Sequence, residues 1–353
     1  MKKNRIFLSV SLVLLLMIFI VNVAGASNFK VIEDQMGRQV TIPADVKRVV
    51  TTWKPSTFMV FAVGGEEKLV GVDNSSTVNK FLTGVYPGIK NIRKVGDKRH
   101  GLNIEEIVGS DPDVVIIWSG KGSGRVIEQL ESLKIPTVVL IPESIELMKE
   151  AALLLGEVLN EQEQARKMID YYNDTLELVE NRVGNIPKSE KKKVYLAGAY
   201  GIFSSCGSDF YQHFMLESAG GIDVATGMKG GWVEISPEQL VKWNPDVMVA
   251  VQYCMGPGME EIVSDNPQLQ SIGAVKNNEL YRFPSNLGPW DYPEPRSILG
   301  LLWLSNILYP EKYEDIDILE EIDKFHVEFF GKTFTELGGK LGGKGINARE
   351  KKH

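Results

Sequence analysis

Two hydrophobic patterns alternate along the chain. Short apolar, β-branched runs at 48–52, 69–72, 114–118 and 137–141 read as strands. Between them, 56–63 and 123–133 read as helices. The same grammar returns in the second half, with strands at 193–197, 247–251 and 279–283. Strands alternating with helices predict an α/β fold: two Rossmann-like lobes, each a mostly parallel sheet covered on both faces, with a cleft between them. Residues 144–184 join the halves as a long helix, with a break expected near Gly156. Its apolar positions Met168, Ile169, Tyr172, Leu176 and Val179 fall at spacings of three and four. A helix in that place acts as a strut and predicts only small lobe motions. The expected division is a leader at 1–26, a first lobe at 27–143, the connecting helix at 144–184 and a second lobe at 185–337. A Gly- and Lys-rich tail, 338–353, lacks periodicity and is expected to be disordered.

One segment occurs twice without a gap. The stretch from Asn103 to Ile117 recurs from Ser236 to Ala250, matching Glu105 with Glu238, Val108 with Val241, and Pro112-Asp113-Val114 with Pro245-Asp246-Val247. Asn103 with Glu106 and Ser236 with Gln239 fit a capping box, in which the first side chain caps a helix and the fourth reaches back. Pro237 suits the first helical position, and Pro112 and Pro245 end the helices. Glu105 and Glu238 are left over. Singly, each carboxylate does no more than favour the positive end of its helix; as a matched pair on two lobes they suit a symmetrical docking surface.

Composition narrows the class. The first five residues include three basic ones, Ile6 to Val21 is apolar apart from two serines, and Ala24-Gly25-Ala26 has the small residues of a cleavage site. The apolar run spans about 24 Å as a helix against a hydrocarbon core of roughly 30 Å, so a secretory signal cleaved after Ala26 is favoured over a kept anchor. Removing the three basic residues of the leader takes the formal charge from −7 to −10. No basic block remains to suggest nucleic acid. An exported, soluble, monomeric protein is expected. Cys206 and Cys254 are compatible with a disulfide, two buried thiols or a soft-metal pair.

In doubly wound lobes, ligands meet the loops at the carboxyl ends of strands. That rule selects Trp53, Lys54, Trp118, Tyr200 and Tyr253. Superposing the duplicated segments adds Arg99 and His100, with Arg99 opposite Trp232. The run from Gly120 to Gly124 lacks the order of a phosphate-binding loop and reads as a flexible turn. Four histidines without a neighbouring cluster argue against a protein-only metal cage. No catalytic triad, carboxylate pair or zinc-enzyme motif is present, and neither enzymatic activity nor a resident cofactor is expected.

The chain resembles the extracytoplasmic solute-binding proteins of ABC importers that carry iron-siderophore complexes, haem and cobalamin. The resemblance runs from about Val31 to Tyr309. It rests on the opening Val31 to Pro43, both copies of the Pro-Asp-Val segment, the stretch Ile127 to Pro136, and Glu217-Ser-Ala-Gly-Gly221. It implies two lobes joined by one long helix, and a permease dimer with a cytoplasmic ATPase as partners. It also implies that Glu105 and Glu238 dock against permease arginines, and that the strip from Asn286 to Arg296, with Trp290, Tyr292 and Arg296, borders the cleft. The cobalamin-binding relative carries a tryptophan in each lobe at the paired position. Arg99 in one of those places points instead to an anionic metal chelate, of the iron-siderophore type, with cobalamin or nickel as alternatives. A chelatase-like enzyme shares this architecture, but the export signal and the paired glutamates argue against it. A sensor subunit would not need both glutamates.

Overall fold

The computed structural model describes residues 28–97, 100–119 and 123–342. The expected leader therefore lies outside the described residues. In the first lobe, five parallel strands stand in the order Arg93–Lys94, Leu69–Val72, Val49–Thr51, Val114–Trp118, Thr137–Leu140. Numbered within the lobe, that is the doubly wound order 3-2-1-4-5, whose direction of winding reverses between Val49–Thr51 and Val114–Trp118. The second lobe has four parallel strands, ordered Ile222–Asp223, Lys193–Ala197, Val247–Ala250, Leu280–Arg282. Its reversal falls between Lys193–Ala197 and Val247–Ala250.

Side chains alternate across each sheet. In the first lobe, Val49, Val114, Ile116, Val138 and Leu140 face a central core, while Val50, Val115, Ile117 and Val139 join an outer cluster. The second lobe sends Val194, Leu196, Val247 and Val249 inward and Tyr195, Ala197, Met248 and Ala250 outward. The central cluster is continuous across both lobes and the helices between them, so their inner faces share one core.

The duplicated segment forms the same unit twice. Each begins with a short helix, Ile104–Gly109 or Pro237–Trp243, capped by the Asn103 side chain on Glu106 N–H (3.2 Å) or by Ser236 on Gln239 N–H (3.1 Å). Each passes through a left-handed residue, Asp111 or Asn244, directly before its proline. Each enters the lobe's inner strand next to the winding reversal. The aspartate after the proline fixes the neighbouring strand. Asp113 N–H donates to the Arg48 carbonyl and its carboxylate accepts from Arg48 N–H (2.9 Å); Asp246 does the same with Lys193, both bonds at 2.8 Å. The return half of the expected capping box is not made in the first copy. Glu106 pairs with Arg93 at 2.7 Å, and Asn103 N–H donates to the Val95 carbonyl instead.

The connection between lobes differs from a single strut. Helix Ile145–Leu159 ends at Asn160, whose φ is +60°, and helix Gln162–Val183 then runs on. Gly156 lies inside the first helix, where it lets the second approach: a Cβ there would stand 2.6 Å from that of Ala165. Helix Ile318–Phe330, from the region expected to belong to the second lobe, crosses back to the first. Its Phe330 and His326 rings lie 4.9 and 5.7 Å from Phe81, and Phe325 lies 4.9 Å from Tyr171 of the connecting helix. The start of the expected disordered tail is seated: the Asn286 side chain donates to the Gly338 carbonyl and accepts from Lys340 N–H. Residues beyond 342 lie outside the described residues.

Arg296 makes the third tie. It is fully buried, and its guanidinium carbon lies 4.5 Å from the Phe58 ring centre and 4.2 Å from that of Phe81, both in the first lobe. Its Nε donates to Glu294 at 2.9 Å, and Nη1 to the Leu287 carbonyl at 3.3 Å. Gly288, at φ +133°, leaves room for the guanidinium, since a Cβ would stand 2.9 Å from Nη2. Removing the arginine leaves a buried carboxylate without its partner. Arg296→Ala is therefore expected to destabilise the fold by about 3–5 kcal/mol, whereas joint replacement by Glu294→Leu and Arg296→Met is expected to cost much less. Urea unfolding of the two variants measures the difference.

Candidate functional site

At the carboxyl edges of both sheets a chain of aromatic rings crosses from one lobe to the other. Trp118, at the end of its strand, packs edge-on against Trp53 with centroids 4.9 Å apart. Trp53 meets Tyr292 at 5.7 Å, Tyr292 meets Tyr253 at 5.8 Å, Tyr253 meets Trp232 at 6.4 Å, and Trp232 meets Phe210 at 5.2 Å. Trp53 and Trp118 follow the two strands that flank the first lobe's winding reversal, and Tyr253 follows one of those flanking the second's. The rings thus occupy the crevices in which open parallel sheets bind ligands. Trp53, Tyr292, Tyr253 and Trp232 are half-buried, which leaves part of each ring for a ligand. Trp232 rests against Gly198, where a Cβ would stand 2.3 Å from the indole.

A polar layer holds the rings from behind. Gln212, buried, donates to the Tyr253 hydroxyl (3.2 Å) and to the Asp291 carbonyl (2.7 Å). Asp291 is fully buried, and one carboxyl oxygen accepts from Gln252 N–H at 3.3 Å while the other has no partner. Burial pushes its pKa up to about 7, with the Gln252 N–H and the Arg282 guanidinium pulling the other way. Arg282 donates to the carbonyls of Val251 and Gln252 and so fixes the loop that carries Tyr253. Burial raises the Tyr253 and Tyr292 hydroxyls far above their ordinary value, so both stay protonated. In the first lobe, Trp118 Nε1 donates to Glu143 at 3.1 Å.

Glu105 and Glu238 are both exposed, in the first turns of their short helices. Each helix precedes its strand and runs back against it, so its first turn lies at the carboxyl edge of the sheet, on the side where the ring chain runs. Among the described residues neither carboxylate has a hydrogen bond or ion pair.

The model of the family described as periplasmic binding protein matches residues 49–287. The chain belongs to that family. It is 24% identical to the molybdate-binding protein MolA of Haemophilus influenzae over 86% of this chain and 92% of the relative. With the vitamin B12-binding protein of Yersinia pestis it shares 26% over 59% of this chain and 71% of that one. A periplasmic solute-binding protein of Veillonella parvula superposes with a TM-score of 0.78 and 26% identity, covering 89% and 97% of the two chains. The solved MolA, bound to molybdate, superposes at 0.75 with 23% identity over 86% and 98%. Like its family, the protein is the solute-binding component of an ABC importer rather than an enzyme. It works outside the cytoplasm with a permease and its ATPase. Among the described residues no helix is long and apolar enough to cross a membrane.

For a periplasmic binding protein, the ring chain unites four residues selected from the sequence, Trp53, Trp118, Trp232 and Tyr253, with Tyr292 from the flagged strip. Lys54 is half-buried at the start of the helix that follows Trp53, close enough to Glu294 to stabilise its charge. Tyr200 is 69% exposed beyond the chain. His100 is exposed and holds Asp97 through Nδ1 at 2.9 Å. Arg99 lies outside the described residues. Two expectations are corrected. Trp290 is fully buried against Phe334 and His326, and Arg296 is fully buried as the inter-lobe tie, so both are core residues that offer no surface to a ligand. Cys206 and Cys254 are free thiols, the first buried. Sequence reading missed Gln212, Asp291 and Arg282. Asp291 stood beside a flagged tyrosine, while Gln212 gave no signal at all.

Asp291 binds its proton near pH 7 when folded and near pH 4, by about three units lower, when unfolded. The folded chain therefore holds more protons across that window, and its stability falls as pH rises through it. Asp291→Asn removes this dependence. Thermal melts are expected to show the variant gaining a few degrees on the wild type between pH 5 and pH 8.

Proposed function

We propose that this protein captures an anionic metal chelate of the iron-siderophore type between its lobes and delivers it to the permease. The ring chain is the observation that carries this reading. Four half-buried aromatics spanning both lobes, Trp53, Tyr292, Tyr253 and Trp232, offer stacking area to an organic chelate, far more than a bare cation needs. Burial raises the Asp291 pKa to about 7, which lowers the negative charge held beneath the rings and weakens repulsion of an anion. Arg99 supplies a cation opposite Trp232 in the duplicated pattern. We also place the chain outside the cytoplasmic membrane by a leader cleaved after Ala26.

Molybdate is the second reading, favoured by a molybdate-binding relative that aligns over most of both chains. Cobalamin is weaker, because the relative that binds it aligns over 59% of this chain and Arg99 replaces one of the paired tryptophans. Docking falls to Glu105 and Glu238, exposed and without partners among the described residues at matching points of two lobes.

Tryptophan fluorescence separates the cargoes, since Trp53 and Trp232 are half-buried members of the ring chain and Trp118 packs against Trp53. Ferric catecholate is expected to quench it with micromolar affinity or better, on the order of −8 kcal/mol. Molybdate and cobalamin are expected to bind more weakly. Tighter binding of molybdate would move the assignment to the second reading. Reversing both docking residues, by Glu105→Arg and Glu238→Arg, is expected to leave that titration unchanged and abolish uptake in cells. Uptake that survives both reversals would remove the docking assignment.

A further inference from the structure

Beside the ring chain, the second lobe holds a pocket of about 470 Å³. Its walls include Tyr200, Phe203, Trp232, Met255 and Ile262, with Glu234 as its charged member. Tyr200 and Met255 are 69% and 54% exposed, large side chains whose apolar surface is left largely uncovered among the described residues. Both stand in loops at the carboxyl ends of the strands flanking the second lobe's winding reversal, and Met255 N–H donates to the Ala199 carbonyl, which ties the two loops together. Trp232 belongs both to this pocket and to the ring chain, so the pocket adjoins the chain across that indole.

Size decides what such a pocket takes. A tetrahedral oxyanion has five heavy atoms and fills on the order of 100 Å³, reckoned from the ~30 Å³ share of a water. It would leave most of the space wet. The lining is mainly aromatic and aliphatic, in the range of small-molecule sites, and the Glu234 carboxylate disfavours a second negative charge. We propose that this pocket is a subsite for an uncharged, apolar arm of the chelator, projecting from the metal centre past Trp232 into the second lobe. The proposal rests on the chelate reading of the cargo and sharpens it: the ligand has organic bulk on one side, and the second lobe selects that bulk.

A matched pair of ligands tests it. The ferric complexes of catechol and of 4-tert-butylcatechol share metal, donor atoms and charge, and differ only in an apolar arm. Titrated into the mature protein by tryptophan fluorescence, the butylated complex is expected to bind roughly tenfold or more tightly than the plain one. Ile262→Trp, which fills the pocket, is expected to abolish that preference while keeping the affinity for plain ferric catecholate. Tyr200→Ala, an exposed wall position with little bearing on folding, is expected to reduce it. Equal wild-type affinities, or a preference unchanged in both variants, would overturn the subsite and leave the chelate reading standing. Failure of the wild type to bind either complex would overturn both.

Discussion

One buried cation holds the two lobes in register. Arg296 enters from the second lobe, sits between Phe58 and Phe81 of the first, and is neutralised by Glu294 behind it. A guanidinium in such a place is tolerated only while its carboxylate partner and ring faces stay where they are. Helix Ile318–Phe330 packs against Phe81 as well, and Tyr172 of the connecting helix donates to the Pro295 carbonyl at 2.7 Å. The lobes are thus tied through the connecting helix, the returning helix and the arginine. These ties predict a cleft that is preformed, with the ring chain running unbroken from Trp118 to Phe210 before ligand binds. A preformed, aromatic-lined site spends little of its binding free energy on ordering.

The duplicated segment shows how one stretch of sequence divides its work between fold and function. Asp113 and Asp246 clamp the first residues of the neighbouring strands, and the left-handed Asp111 and Asn244 turn the chain toward them. The capping residues satisfy helix N–H groups. Those roles leave over Glu105 and Glu238, and the pair Glu106 and Gln239, of which Glu106 is held by Arg93. The duplication also sets the two lobes' inner strands beside their winding reversals, which brings the aromatic loops of both lobes to one edge.

The two-lobed α/β plan was legible because strand runs and helical stripes differ in period, and each run read as a strand lies within a residue or two of an observed one; the two-residue edge strands Arg93–Lys94 and Ile222–Asp223 are too short to leave such a run. Boundaries set by single residues were less so. Asn160, able to adopt φ +60°, broke the connecting helix rather than Gly156, whose small size instead served close packing. Trp290 and Arg296 were placed at the cleft by the family resemblance, and their residue types did not correct it, since aromatic and cationic side chains near a strand end look alike whether they face ligand or core. Only the return of helix Ile318–Phe330, which supplies His326 and packs over Phe81, decides that they are inside, and nothing local in the sequence announces a helix that changes lobes. Gln212 and Asp291 support the rings through contacts 41 and 79 residues away in sequence, a distance over which no pattern in one chain carries information.

The claim on which the rest hangs is that the lobes are held at a fixed separation before any ligand arrives. Spin labels at Lys90 and Lys276, exposed positions on opposite lobes, report that separation directly by pulsed dipolar spectroscopy. One narrow distance distribution is predicted, its mean shifting by less than about 3 Å when ferric catecholate is added. A broad or two-peaked distribution in the free protein, or a closure of about 10 Å on binding, the signature of a hinge, would contradict it.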